Sequence, residues 1–335
     1  EFAMSWTSVE EGESCEFCGY ELCEDAYGMN ITQNKFIAAL DEIKLSSKST
    51  CVVTDDERSS FRKIIGQLRW VTRIDFGISY ALSRASSWVS NSECSVMQIL
   101  RCNKLVRRLK REGAFLRLPR LDKNRPVHVV VIADAGEPID DSTYRGKWQG
   151  CFAIGITNRG DDAPYTGDGR ESESPFCPVL WHSGLTRRVA SSSFDGETLI
   201  GLEGVDAGLA VQSHFEETLT GQRETLLESR SAAMATPRVI SQRVERIVTL
   251  DLHSDSNDLV TNVKSIMAVK GFNKRRKCDI YDLRELIDLG YLRRVLKILG
   301  KTNPTDGGTK VLAWQAPTMK RWTKLNHGEY NADFG

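Results

Sequence analysis

No stretch of this chain approaches the ~18 consecutive apolar residues of a membrane-spanning helix. Its opening, EFAMSWTSVEEG, has neither the basic start nor the apolar stretch of a secretory leader. Net charge is missing too. Forty-five Lys and Arg stand against 45 Asp and Glu, so no global field draws the chain to a polyanion or a membrane, and any nucleic-acid contact must come from local clusters. A disulfide framework is lacking. Nine cysteines, an odd count at irregular spacing, read as mostly free thiols in a reducing cytoplasmic or nuclear setting. Cys15, Cys18 and Cys23 in CEFCGYELC form half of a zinc pattern, with no second CxxC or His pair close by. There is no GxxxxGK phosphate loop and no YxDD motif, so neither P-loop chemistry nor a polymerase centre is expected. Ser191 to Ser193 have no His and Asp partners for nucleophilic hydrolysis and read better as a helix cap. Without a leading methionine, the sequence reads as a piece of something longer.

What is present is enough for two modest domains: 335 residues, 40% of them hydrophobic. Residues 1–29 are acidic and show no periodicity, an irregular segment. From Ile31, ITQNKFIAALDEIKL puts Phe36, Ile37, Leu40 and Ile43 on one helical face, with Thr32 as N-cap. DDERSSFRKIIGQLRWVTR, capped near Thr54 or Asp55, IDFGISYALSRASSW and SVMQILRCNKLVRRLKREG add three more helices, so that 30–113 reads as a small helical domain. RLPRLDKNRP is a proline-bearing connector. Beyond it the pattern changes to strands at VHVVVIADAG, WQGCFAIGITN and PVLWHSG, then a long helix from SSSFDGETLIGL. A strand at RIVTLDLHS, helices at DSNDLVTNVKSIMAVK and DIYDLRELIDLG, a strand at YLRRVLKILG and a last helix entered through NPTDGGTK complete a mixed α/β sheet. The span from 126 to 315 is one domain, followed by a C-terminal tail, 316–335. Whether 216–245 is helix or tether is left open.

Four acidic residues carry the chemistry. Asp134 ends the apolar run VHVVVIAD, Glu197 lies in SSSFDGETLIGL, Asp255 follows RIVTLDLHS, and Asp306 lies in NPTDGGTK. A carboxylate at the end of a buried strand is costly unless a cation waits there. Two strand ends, one helical Glu and one Asp at a helix start could cage two divalent ions, since Mg²⁺ takes hard oxygen ligands and paired metals cut phosphodiesters. Period-two alternation sets Asp251, His253 and Asp255 on one face of their strand, so register alone does not choose among them, and Asp258 lies close by. Asp195 and Glu203 compete with Glu197 in the same way.

From about 31 to 312 the chain resembles the C-terminal part of a copia-type retrotransposon polyprotein. GMNITQNKFIAAL, DERSSFRKIIGQLRWVTRIDFGISYALSRAS and MQILRCNKLVRRLKREG are similar to the end of its reverse transcriptase. IADAG, ASSSFDGETLIGLEG, DLHSDSNDLV, NKRRKCDIYDLRELIDLGYL and NPTDGGTK are similar to its ribonuclease H domain, in the family's order. The resemblance implies a ribonuclease H-like mixed five-stranded sheet flanked by helices, preceded by the helical reverse-transcriptase remnant. It implies Asp134, Glu197, Asp255 and Asp306 as catalytic residues and as ligands for two Mg²⁺ (or Mn²⁺) ions, with Asp134 between them. The implied reaction is endonucleolytic cleavage of the RNA strand of an RNA–DNA hybrid. A polymerase domain in the same polyprotein is the implied partner, and no membrane is involved.

The sequence departs from the family at three points. Asp195 stands two positions before the helix Glu, two glycines follow Asp306 where helix formers are usual, and no His precedes NPTDGG. Each glycine weakens a helix by ~1 kcal/mol relative to alanine, so Asp306 is expected to be loosely held. NKRRKC reads as a basic turn. Lys264, Lys270, Lys274, Arg275, Arg276 and Lys277 near it, with Arg107 and Arg108 on the helix 98–112, are the cations expected to grip nucleic-acid phosphates. Two other classes remain: a catalytically inactive or domesticated binding module with the same fold, and an integrase- or transposase-like DNA nuclease.

Overall fold

The computed structural model describes residues 13–46, 53–90, 94–138, 146–158, 174–221, 246–269, 274–310 and 317–330. The chain divides into two compact units, 1–120 with 326–328, and 121–325 with 329–335. Among the described residues no helix is long and apolar enough to cross a membrane.

In the first unit, strands β1 (Ser14–Phe17), β2 (Tyr20–Asp25), β3 (Gly28–Thr32) and β4 (Phe115–Pro119) form an antiparallel sheet in that order. Residues 14–29, expected to be irregular, are therefore mostly strand. The turn between β1 and β2 is Cys18-Gly19, both with positive φ (50° and 78°), which gives a two-residue loop the twist its strands need. CEFCGYELC is thus a hairpin. The helix expected from Ile31 shrinks to α1 (Asn34–Ala38). Thr32 is held in the ladder opposite Phe115, and the Asn103 side chain bonds both the N–H and the C=O of Ile43 at 2.9 Å, which fixes that stretch as a non-helical segment with Ile43 buried.

Helices α2 (Asp55–Val71), α3 (Ser79–Ser90) and α4 (Val96–Glu112) follow the 3.6-residue pattern. Thr54 and Glu57 close a reciprocal capping box on α2, and Ser95 and Gln98 close one on α4. Gly113, at φ 75°, ends α4. α3 packs against both α2 and α4, burying Phe61, Ile64, Leu68, Ile99, Val106 and Leu109.

The second unit is built on a mixed five-stranded sheet with helices packed against it, the sheet type expected from the sequence. Its strands are β5 (His128–Pro138), β6 (Trp148–Thr157), β8 (Cys177–Leu185), β9 (Thr249–Ser254) and β10 (Arg294–Lys297), in the order β10-β9-β5-β6-β8. β5, β6 and β8 are antiparallel, and β9 and β10 are added in parallel through helical crossovers. A short β7 (Ser174–Pro175) pairs with β11 (Glu329–Tyr330).

One sheet face packs on α5 (Ser193–Thr220), α6 (Asn257–Lys264) and α7 (Lys274–Asp288) through a core that includes Val129, Val131, Phe152, Leu209, Leu252, Leu259 and Leu283. α5 lies close because it presents glycines. A Cβ at Gly204 would stand 2.8 Å from Val131 Cγ1, and one at Gly208 2.7 Å from Val131 Cγ2. A 3₁₀ turn, Pro304–Gly308, packs on β5 and β6. The final helix α8 (Pro317–Asn326) buries Trp322 against that turn. The segment expected to be a tail is thus part of the core.

The four cations of NKRRKC form the first turn of α7 rather than a loop. Residues 222–245, most of the stretch left open above, lie outside the described residues.

Candidate metal centre

Asp134 sits opposite Cys151 near the end of β5, on the face that carries Ile132 and the 304–308 turn. It is 3% exposed, and its Oδ2 accepts the Thr309 hydroxyl at 2.5 Å. Glu197 is delivered by the first turns of α5. Ser192 caps that helix, accepting the Asp195 N–H at 3.2 Å, and the Ala135 N–H donates to the Glu197 carboxylate. Asp255 lies one residue past the end of β9, just before the Ser256 cap of α6. Asp134, Glu197 and Asp255 each bring one carboxylate oxygen to within 4.8 Å of the others.

Asp306, in the 3₁₀ turn, is not in that group of three, although its charge acts on all of them. Its carboxylate is bonded to the Lys310 ammonium. The turn is a single short helix rather than the start of a long one, and its glycines are required. A Cβ at Gly308 would stand 2.2 Å from Cys151 Sγ, and one at Gly307 2.5 Å from Trp322 Cβ. The expected weakening of a final helix by Gly307 and Gly308 does not apply, because close packing demands them.

Three acids this close in a buried site oppose ionisation. Burial first, then the charges of Asp306 and Asp255, push Asp134 up to about 8, against the pull of Thr309 and Lys310. Burial, Asp134 and Asp255 push Glu197 well above the usual carboxylate range. Burial also raises Asp255, opposed by the Asn303 amide and Lys297. The Lys297 ammonium bonds the Asp255 carbonyl. Glu197 Oε2 is buried with no hydrogen-bond partner. A buried carboxylate oxygen without a hydrogen-bond partner, on a residue clustered with two other acids, suits a hard divalent cation such as Mg²⁺ or Mn²⁺, so the residues present fit the implied metal.

The competing acids are accounted for. Asp251 is buried and bound by Arg293 at 2.5–2.7 Å and by Arg294 at 3.2 Å, which hold its carboxyl low against burial. Asp195 accepts Arg276 at 2.9 Å and the Ser191 N–H at 3.0 Å. Asp258 is exposed on α6 and Glu203 is half-buried further along α5. His253 bonds the Tyr330 hydroxyl at 2.6 Å, and His182 stacks near Phe152.

The cations expected to grip nucleic acid divide. Lys264, Lys274 and Arg275 are exposed and Lys277 is half-buried, while Lys270 lies outside the described residues. Arg276 is a correction. It is 2% exposed, and its guanidinium bonds Asp195 and Asp279, because a buried cation must be paired. Arg107 and Arg108, in the first unit, pair with Glu42 and Glu112. Sequence reasoning missed Thr309 and Lys310. Their signal was their spacing, three and four residues after Asp306, which puts both beside it on a helical turn.

No family model matches the chain, and no curated protein matches it. Among solved structures, it is similar to a foamy viral protease-reverse transcriptase in complex with RNA/DNA hybrid (14% identity, 91% of this chain and 31% of that one, TM-score 0.43). It is also similar to the foamy viral enzyme with double-stranded DNA (12%, 81% and 36%, TM-score 0.38). A third likeness is to an N-terminal RNase H domain from Mycobacterium tuberculosis solved as a fusion with maltose-binding protein (12%, 53% and 86%, TM-score 0.25). The chain spans about a third of the length of the viral chains it matches. At these scores the likeness adds nothing on activity, which has to stand on the carboxylates.

Proposed function

We propose that the second unit is a ribonuclease H that hydrolyses the RNA strand of RNA–DNA hybrids with two Mg²⁺ or Mn²⁺ ions, and that the chain is part of a copia-type retrotransposon polyprotein in which a reverse-transcriptase polymerase domain is its partner. One observation carries this reading. Asp134, Glu197 and Asp255, far apart in sequence, each bring a carboxylate oxygen within 4.8 Å of the others at one end of the sheet, and Glu197 has a buried oxygen without a hydrogen-bond partner.

Bound there, divalent ions supply a water of lowered pKa and charge balance for the leaving 3′-oxygen. The chain's own residues set the stage. Thr309 fixes the rotamer of Asp134, the Ala135 N–H fixes Glu197, and Asp306 stands as the fourth carboxylate. The Asp195–Arg276 pair anchors the α5 turn that carries Glu197. Lys264, Lys274, Arg275 and Lys277 offer cations to a phosphate backbone beyond the α6–α7 end of the sheet. The acids act as ligands, and no protein nucleophile is required.

A second reading, a binding module that does not cut, is favoured by the Lys310 ammonium already seated on Asp306. Incubating the full chain and Asp134→Asn with end-labelled RNA–DNA hybrid, duplex RNA and duplex DNA, in Mg²⁺ or Mn²⁺, separates these readings. Cleavage of hybrid RNA alone, lost in Asp134→Asn, supports the ribonuclease. Retention of hybrid without cleavage supports the module, and cutting of duplex DNA would indicate an integrase-like nuclease.

A further inference from the structure

Whereas Lys297 bonds the Asp255 carbonyl, Lys310 places its ammonium on a carboxylate of the acidic cluster. It lies four residues past Asp306 and bonds that carboxylate directly, with the acid N-terminal to the base, the favoured order for such pairs on a helical turn. Its field also reaches Asp134 and Asp255. Burial works against the charged amine, and the three acids more than offset it. The Lys310 side chain is 45% exposed while that of Asp306 is 14% exposed, so the lysine can swing out on its flexible stem and the aspartate stays put. Asp306 is also the acid missing from the group of three that each bring a carboxylate oxygen within 4.8 Å of the others.

We propose that Lys310 is a tethered counter-cation that competes with a divalent ion for Asp306, so that the centre takes up its two ions in widely separated steps. The inference rests on the metal-site reading given above. The first ion enters among Asp134, Glu197 and Asp255, where no lysine is bonded to a carboxylate among the described residues. The second has to displace the ammonium from Asp306. A substrate phosphate, arriving with its own negative charge, offers the displaced ammonium a new partner, so that full metal loading is coupled to hybrid binding.

Titration calorimetry of the full chain with Mn²⁺, with bound ions counted by electron paramagnetic resonance, tests this. Wild type, Lys310→Met, Lys310→Arg and Asp134→Asn are compared, with circular dichroism checking each fold. Lys310→Met should tighten the second step by about tenfold or more, about 1.4 kcal/mol, and change the first far less. Lys310→Arg, which keeps the charge, should retain the wild-type separation. Stepwise constants in Lys310→Met within about twofold of wild type, below ~0.5 kcal/mol, would overturn the counter-cation role while leaving the metal centre intact. Wild type taking up no ion, like Asp134→Asn, would instead overturn the centre itself and this inference with it.

Discussion

Replacing Asp134 with asparagine should stabilise the metal-free protein while abolishing its response to divalent ions. Asp134 is 3% exposed. Burial, Asp306 and Asp255 lift its carboxyl from 3.8 to about 8. Between those values the folded chain keeps a proton that the unfolded chain has released. Stability contributed at this position is therefore highest in acid, falls as pH rises through the interval, and levels off above about pH 8. At about 1.4 kcal/mol for each tenfold, the interval caps the penalty at about 6 kcal/mol. Water entry past the half-exposed Lys310 and relaxation of the neighbouring acids bring the realised cost to about 2 kcal/mol. Asparagine keeps the volume and an acceptor for Thr309 but carries no charge. For a domain of this size, about 2 kcal/mol is ~4–8 °C in melting temperature. Thermal melts in chelator should therefore show the variant ahead by that margin at about pH 8, and level with wild type near pH 4. Saturating Mg²⁺, at about 100 times its dissociation constant, should then raise wild type by ~2.7 kcal/mol and leave the variant unmoved. A variant less stable than wild type at about pH 8 without metal would refute the charge-crowding account of the site.

Arg276→Met should cost ~3–5 kcal/mol in urea unfolding, because it leaves Asp195 buried without its cation and Asp279 with Arg188 alone; a loss under about 1 kcal/mol would show the Arg276 pairs to be dispensable. Gly308→Ala drives a methyl into Cys151 Sγ and should destabilise by ~2 kcal/mol, with recovery in the double variant Gly308→Ala/Cys151→Gly. In the first unit, Arg117 first and the Tyr27 N–H next hold Asp25 down to about 2, and the Thr54 and Ser46 N–H groups do the same for Glu57. Their contribution is present above pH ~4 and is lost as pH falls toward about 2. Far-ultraviolet circular dichroism should thus follow an acid loss of that unit that Arg117→Met brings to higher pH.

The core strands were legible because β5, β6 and β9 are buried on both faces and so read as nearly unbroken apolar runs. The same burial made Asp134 conspicuous. Helices α2 and α4 were legible from their caps as well as their period. The first hairpin was not, since its strands are short, mostly half-exposed and rich in acids, and its turn needed a positive φ at a cysteine. The helix at Ile31 failed for a tertiary reason: Asn103, 60 residues away, bonds both backbone groups of Ile43. Alternation on β9 could not separate Asp251 from Asp255, since both lie on the right face. Arg293 and Arg294, arriving on the neighbouring β10 segment, neutralise the first and not the second. Arg276 looked like one of four equivalent cations until the packing of α7 turned it inward and left Lys274 and Arg275 in solvent.

The glycines of α5 act as the absence of a shim. With no methyl between Gly204, Gly208 and Val131, the whole rod rests flush on the sheet, and the depth of Glu197 is set several residues away from it. Adding one carbon at either place would tilt the rod before it unseated it. Divalent-ion affinity would register the change sooner than the melting point would.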